Sequence, residues 1–176
     1  MSTIRILAIS GSLRLASSNT AVVDAAVRVA PLDVTVTVYR LLAEIPAFNP
    51  DLDTDAPPPA VAGLRAALAD CDALLICSPE YAHGVSGVLK NALDWVVSSG
   101  ELIDKPIALV NASGRATIAQ AALDETLKTM SGRLVDDASI VLPLDGRKLN
   151  ADGLAADDVL SGQLASALAA LAAVVR

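Results

Sequence analysis

A chain of 176 residues, 53% of them hydrophobic, is long enough to bury a full core in one compact domain. Its formal net charge of -7, with no basic stripe to neutralise phosphates, argues against a nucleic-acid partner. With His83 as the single histidine, a multi-histidine metal site is excluded by arithmetic, and no metal is expected.

The opening residues MSTIRILAI lack the longer apolar region and cleavage site of a signal peptide. They lead into a strand expected over 4–10 (IRILAIS), followed by a helix over 19–30 with Val23, Ala26, Val27 and Ala30 on its inner face. A second strand is expected over 34–41 (VTVTVYRL). The segment 46–60 (PAFNPDLDTDAPPPA) reads as an ordered surface loop, and Pro57, Pro58 and Pro59 lead into a helix over 60–70. ALLICS (73–78) is a third strand. A helix over 87–98 places Leu89, Leu93 and Val96 on one stripe.

PIALVNA (106–112) is the fourth strand. Thr117 and Gln120 form a possible capping box before a helix whose Leu123, Leu127 and Met130 share a face. ASIVLPL (138–144) is the fifth strand, and a last helix over about 153–175 carries Leu160, Leu164, Leu168, Leu171 and Val175. Its apolar run LASALAALAAVV is too short to span a bilayer, so a soluble cytoplasmic protein without a membrane partner is expected. Cys71 and Cys77 are not spaced as a CxxC pair and lie in or beside an apolar run, which reads as buried thiols in a reducing compartment.

Strand and helix alternate five times, and several strands are continuously apolar, as strands covered on both faces are. Right-handed crossovers then give one doubly wound α/β domain over 1–176, with a parallel sheet and helices on both faces. Such sheets bind ligands at the carboxyl ends of their strands. Three loops follow such ends.

In the first, Ser10, Gly11, Ser12, Leu13, Arg14, Leu15, Ala16, Ser17, Ser18, Asn19 and Thr20 join strand to helix. Free N–H groups at a helix start favour an anion, and Arg14 adds charge, so a phosphate is one reading. A plain N-cap by Ser17, Ser18 or Asn19 is the other. The loop is neither GxGxxG nor a Walker loop.

The second loop lies within SPEYAHGVSGVLKNALDW (78–95), where Gly84 and Gly87 allow close backbone approach and Tyr81 and His83 flank a ring or simply pack in the loop. HGVSG is not GxSxG, and with one histidine in the chain the pattern argues against a hydrolase triad. The third loop, NASGRAT (111–117), either closes over a ligand or caps the following helix.

Together, GSLRLASSN (11–19) and PEYAHGVSGVLKNALDW (79–95) resemble the GSxRxxSxN and PEYN-x-x-x-PGxLKNAxDW segments of the NADPH-dependent FMN reductases. FNPDLD (48–53) also resembles that family's second connecting loop, and the likeness covers most of 4–112. This flavodoxin-like group includes quinone, azo-dye and chromate reductases. The resemblance implies a five-stranded parallel sheet in the order 2-1-3-4-5. It implies that Ser12, Arg14, Ser17 and Asn19, with Thr20 nearby, hold the FMN phosphate. Pro79, Glu80, Tyr81, Ala82, His83 and Gly84 would line the flavin ring, with Ser113 contributing from the third loop.

Three departures stand out. Ala82 replaces a frequent Asn, Ser86 replaces a Pro, and NASGRAT replaces a glycine-rich SxGGxxGG. The resemblance further implies NADPH or NADH as co-substrate, a quinone or similar small electron acceptor, a homodimer or homotetramer, and no catalytic side chain, since the flavin carries the chemistry. A flavodoxin-type electron carrier that turns over no nicotinamide is the alternative. Arg14 and the scarcity of aromatics, only Phe48, Trp95, Tyr39 and Tyr81, favour the enzyme.

Overall fold

The computed structural model describes residues 3–176. Strands β1 (Ile4–Ser10), β2 (Val34–Tyr39) and β3 (Ala73–Cys77) form as expected, a small hairpin β4 (Glu80–Tyr81) and β5 (Gly84–Val85) follows, and β6 is Pro106–Asn111. The sheet runs β2-β1-β3-β6, every pair parallel. Successive side chains of these strands point to opposite faces. Ile4, Ile6 and Ala8 therefore join one core cluster with Ala73, Leu75, Ala108 and Val110, while Leu7 and Ile9 join the other with Leu74, Ile76, Ile107 and Leu109. Both faces are apolar because both are covered.

The fifth strand departs from the expectation. Its place beside β6 is shared by two short parallel strands, β7 (Arg133–Leu134) and β8 (Ile140–Val141), with a 3-10 turn at Asp136–Ala138 between them. The turn lifts the chain out of the ladder, and Ser139 bridges the gap: its Oγ accepts from Leu109 N at 3.1 Å and donates to Val135 O at 3.0 Å.

On one face lie helices α1 (Ser18–Val29), α5 (Ala151–Ala156) and α6 (Asp158–Ala173); on the other lie α2 (Pro59–Asp70), α3 (Gly87–Asp94) and α4 (Thr117–Thr129). The inner face of α1 is Val22, Val23, Ala25 and Ala26; Val27 is 47% exposed, against the expectation. The expected C-terminal helix is two helices. Asp157 ends α5 and caps α6, its Oδ1 accepting from Leu160 N at 3.1 Å, and this local bond competes with helix continuation. Within the stretch 87–98 the α-helix ends at Asp94 and the chain continues in turns, although Val96 stays buried.

The 46–60 segment is tied down as a surface loop. Trp95 Nε1 and Asn91 Nδ2 donate to Pro46 O at 2.8 and 2.9 Å, and Arg65 pairs with Asp53 at 2.6 Å. Phe48 meets Trp95 edge-on at 5.1 Å between ring centroids. Both cysteines are free and buried, and burial pushes the Cys77 thiol up to about 12. Among the described residues, no helix is long and apolar enough to cross a membrane.

Candidate functional site

At the carboxyl ends of β1, β3, β6 and β8 the connecting loops surround an open cleft of about 870 Å³. Parallel strands bring these loops together although they lie far apart in the chain. Gly11 sits where the first two approach most closely: a Cβ there would lie 2.4 Å from Ser78 Oγ, 2.9 Å from Ser78 Cβ and 3.0 Å from Ser86 Oγ. Only hydrogen fits.

The first loop is both capped and open. Ser17 is the N-cap of α1, accepting from Thr20 N at 3.4 Å, and Ser10 Oγ bonds Thr20 Oγ1 at 2.9 Å. Ser12 Oγ accepts from Arg14 N at 3.3 Å, so this hydroxyl shapes its own turn. The cap consumes one donor. The N–H groups of Ala16, Ser17, Ser18 and Asn19 make no hydrogen bond among the described residues and lie at the positive end of the α1 dipole. Arg14 forms no ion pair among those residues and lines the same cleft. Asn19 is buried, its Oδ1 accepting from Cys77 Sγ at 3.3 Å. Free helix-start N–H groups beside a guanidinium are the donor set that suits an anion.

The second loop is divided between two roles. Pro79, Glu80 and Tyr81 line the cleft, with Tyr81 56% exposed. Ala82, His83 and Gly84 do not line it; they turn the β4–β5 hairpin, where Tyr81 pairs with Gly84. Ala82 and His83 have φ of 49° and 60°, the positive values that a two-residue type I′ turn demands and that Asn and Gly tolerate best. No protein atom crowds Gly84 or Gly87. A Cβ on Gly84 makes only an ordinary 3.5 Å contact, and one on Gly87 meets nothing.

The Glu80 carboxylate is engaged by two protein groups. Its Oε2 accepts from Ala119 N at 2.8 Å and its Oε1 meets His83 Nδ1 at 2.9 Å. The Ala119 N–H, followed by His83, holds this carboxyl below the usual carboxylate range. The expected Thr117–Gln120 capping box is absent: α4 has no side-chain cap of its own, and Glu80 reaches across from another element to supply one.

The third loop, NASGRAT, is braced from within and from outside. Asn111 Nδ2 donates to Ala116 O at 2.9 Å, and its Oδ1 accepts from Ser113 N at 3.0 Å. Ser113 Oγ donates to Asp145 Oδ1 at 2.7 Å. Side chains of Ser113 and Arg115 face the cleft.

The profile of the family described as NADPH-dependent FMN reductase matches residues 4–143 of this sequence. The chain belongs to that family. It is 34% identical over 160 residues to an NAD(P)H-dependent FMN reductase of Pseudomonas aeruginosa, covering 88% of this chain and 86% of that one. It is 39% identical over 115 residues to a probable NADPH:quinone oxidoreductase of Oryza sativa subsp. japonica, covering 63% of this chain and 57% of the rice protein's length. A flavoenzyme NAD(P)H:(acceptor) oxidoreductase from Paracoccus denitrificans superposes with a TM-score of 0.73 at 24% identity, over 97% of this chain and 98% of that one, and so shares the fold.

In this FMN reductase family member a fourth segment, Leu144–Ala151, also walls the cleft, bringing Asp145, Arg147 and Lys148 to its edge. Sequence reasoning missed it. It follows no long strand, and its charges read as an ordinary polar loop. The Asp-Gly pair at 145–146, with Gly146 at φ 75°, was the available turn signal.

Proposed function

We propose that this family member is an FMN-dependent NAD(P)H oxidoreductase that reduces a quinone or a similar small acceptor, such as an azo dye, free flavin or metal oxyanion. The carrying observation is the set of N–H groups over Ala16–Asn19 that, with Arg14, have no partner among the described residues and open on the cleft that Pro79–Tyr81 also lines. That donor set suits a flavin phosphate by its chemistry: backbone donors, a dipole and one guanidinium favour a dianion without a metal. Held there, FMN would supply two-electron hydride chemistry between a nicotinamide and the acceptor.

The chain's own residues bind and orient. Arg14 and the N–H groups of Ala16–Asn19 would hold the phosphate, while Ser12, Ser17 and Thr20 keep the loop in shape and Asn19 anchors it on Cys77. Pro79 and Tyr81 would wall the ring, and Ser113 and Arg115 would border the space left for nicotinamide or acceptor. No side chain is needed as nucleophile or proton relay. The quinone class rests on the name of the rice relative, the nicotinamide on those of the rice and Pseudomonas relatives. We further propose one domain across the chain, assembled as a cytoplasmic homodimer or homotetramer; the free, buried thiols fit a reducing compartment, and light scattering tests the assembly.

Purified protein should take up FMN, turn yellow and oxidise NADPH or NADH. Protein that stays colourless with added FMN and oxidises neither overturns the reading. Anaerobic stopped-flow mixing with each nicotinamide separates enzyme from electron carrier: flavin left oxidised over minutes means a carrier.

A further inference from the structure

The loop NASGRAT is held in its middle by a carboxylate from another segment, and a second carboxylate receives the helix that follows it. Asp145 Oδ1 accepts from Ser113 Oγ at 2.7 Å and from Arg115 Nη2 at 3.2 Å, and its Oδ2 accepts from Gly114 N at 3.1 Å. One carboxylate thus takes a hydroxyl, a guanidinium and a backbone N–H from three consecutive residues. Beyond them, Glu80 Oε2 receives Ala119 N at 2.8 Å. The Asp145 side chain is 32% exposed, whereas that of Arg115 is 85% exposed. The carboxylate is therefore seated under the loop while the guanidinium lies over it. Within 113–115, Asp145 takes the Gly114 N–H and both polar side chains, while Asn111 Oδ1 accepts from Ser113 N and the Ser113 and Arg115 carbonyls accept from Ala116 N and Thr117 N.

We propose that Asp145 is a positioning residue for the nicotinamide and acceptor side of the cleft, holding Ser113–Arg115 as a preformed wall. Charge-assisted bonds from the Gly114 N–H and from the side chains on either side of it fix the middle of the loop in one arrangement, where a glycine-rich loop would sample many. The phosphate cradle on Ala16–Asn19 shares no hydrogen bond with Asp145, so the two ends of the cleft are separable. Removing the carboxylate loosens the wall and leaves the cradle intact.

The kinetic part of this inference rests on the proposed oxidoreductase function; the conformational part does not. Limited trypsin digestion of flavin-free protein reads the loop directly, because the Arg115–Ala116 bond is cleavable once the loop opens. In Asp145→Ala, cleavage after Arg115 should be about tenfold faster than in the parent, with Asp145→Asn between the two. After FMN loading, KM for the nicotinamide should rise roughly fivefold, while the FMN Kd stays within about twofold and kcat changes little. Asp145→Glu, which keeps the acceptor charge, should recover part of the parent KM.

Parent-like cleavage at Arg115 in both variants overturns the proposal. So does faster cleavage with unchanged KM, or FMN affinity lost in step with KM. If Asp145→Ala melts too low to assay, Asp145→Asn carries the same comparisons. A parent protein that neither binds FMN nor oxidises nicotinamide refutes the oxidoreductase reading instead, and the trypsin result then decides the restraint alone.

Discussion

Replacing Gly11 by alanine tests whether the first two loops are as tightly apposed as the structure places them. The new Cβ would stand 2.9 Å from Ser78 Cβ, where ordinary contact begins at 3.4 Å. Ser78 Oγ, at 2.4 Å, can swing aside, but Ser78 Cβ is rigid to its backbone. The backbones must therefore part by about half an ångström, the difference between those two separations. They are joined there by the Gly11 N–H to Cys77 O bond of 2.9 Å, the last rung before the cleft, and the displacement stretches it out of good geometry.

Overpacking of this kind costs about 1–3 kcal/mol. A domain of this length loses roughly 2–4 °C of Tm per kcal/mol, so calorimetry should show a fall of about 2–12 °C. FMN affinity should weaken several-fold, because both walls of the cleft shift. Ser78→Gly removes the offending carbon, and a double-mutant cycle should return a coupling of roughly 1–2 kcal/mol in the direction of rescue. An unchanged Tm in Gly11→Ala, or strictly additive effects in the cycle, would refute the steric reasoning.

The remaining predictions concern the other segments of the site. Ser12→Ala with Arg14→Ala should weaken FMN binding at least tenfold, since a bond to a charged group is worth about 1.5–3 kcal/mol; an unmoved affinity in a fluorescence titration removes the phosphate assignment. Ala82→Gly should raise Tm by a few degrees, because a left-handed L-residue costs roughly 1–2 kcal/mol; a lower Tm would mean the turn is not strained. Glu80→Gln keeps an acceptor for Ala119 N–H but drops the charge, and should lower Tm at neutral pH. The Glu80 carboxyl titrates below its ordinary 4.5 in the folded protein. Its contribution is therefore complete above that ordinary value and fades as pH falls through the folded one, so parent and variant melting curves should converge in acid. Curves that stay equally far apart at all pH values would exclude the charged cap.

Much of this protein was legible in its residues. The continuously apolar β1, β3 and β6 announced a sheet covered on both faces, and the Ser-rich turn after β1 announced a capped helix start with free N–H groups, because strand burial and helix-start chemistry are local properties. The split of the last helix at Asp157 and the exposure of Val27 were not legible; periodicity reports a face without saying which neighbours cover it.

What tertiary structure alone decided is how the loops divide their work. Glu80 follows Pro79 and Ser78 in a motif that reads as one ring-lining stretch, yet its carboxylate serves the start of α4, 39 residues away. Thr117 and Gln120 form no capping box because the helix starts one residue earlier than that box requires: Ala116 is its N-cap, and Thr117 already lies in the first turn. Asp145 was invisible as a site residue because its partners, Ser113–Arg115, lie some thirty positions earlier and meet it only where β6 and β8 pair side by side. Helix starts, turns and apolar strands are written in neighbouring residues. Bonds between loops depend on strand order, and they exist only once the sheet has formed.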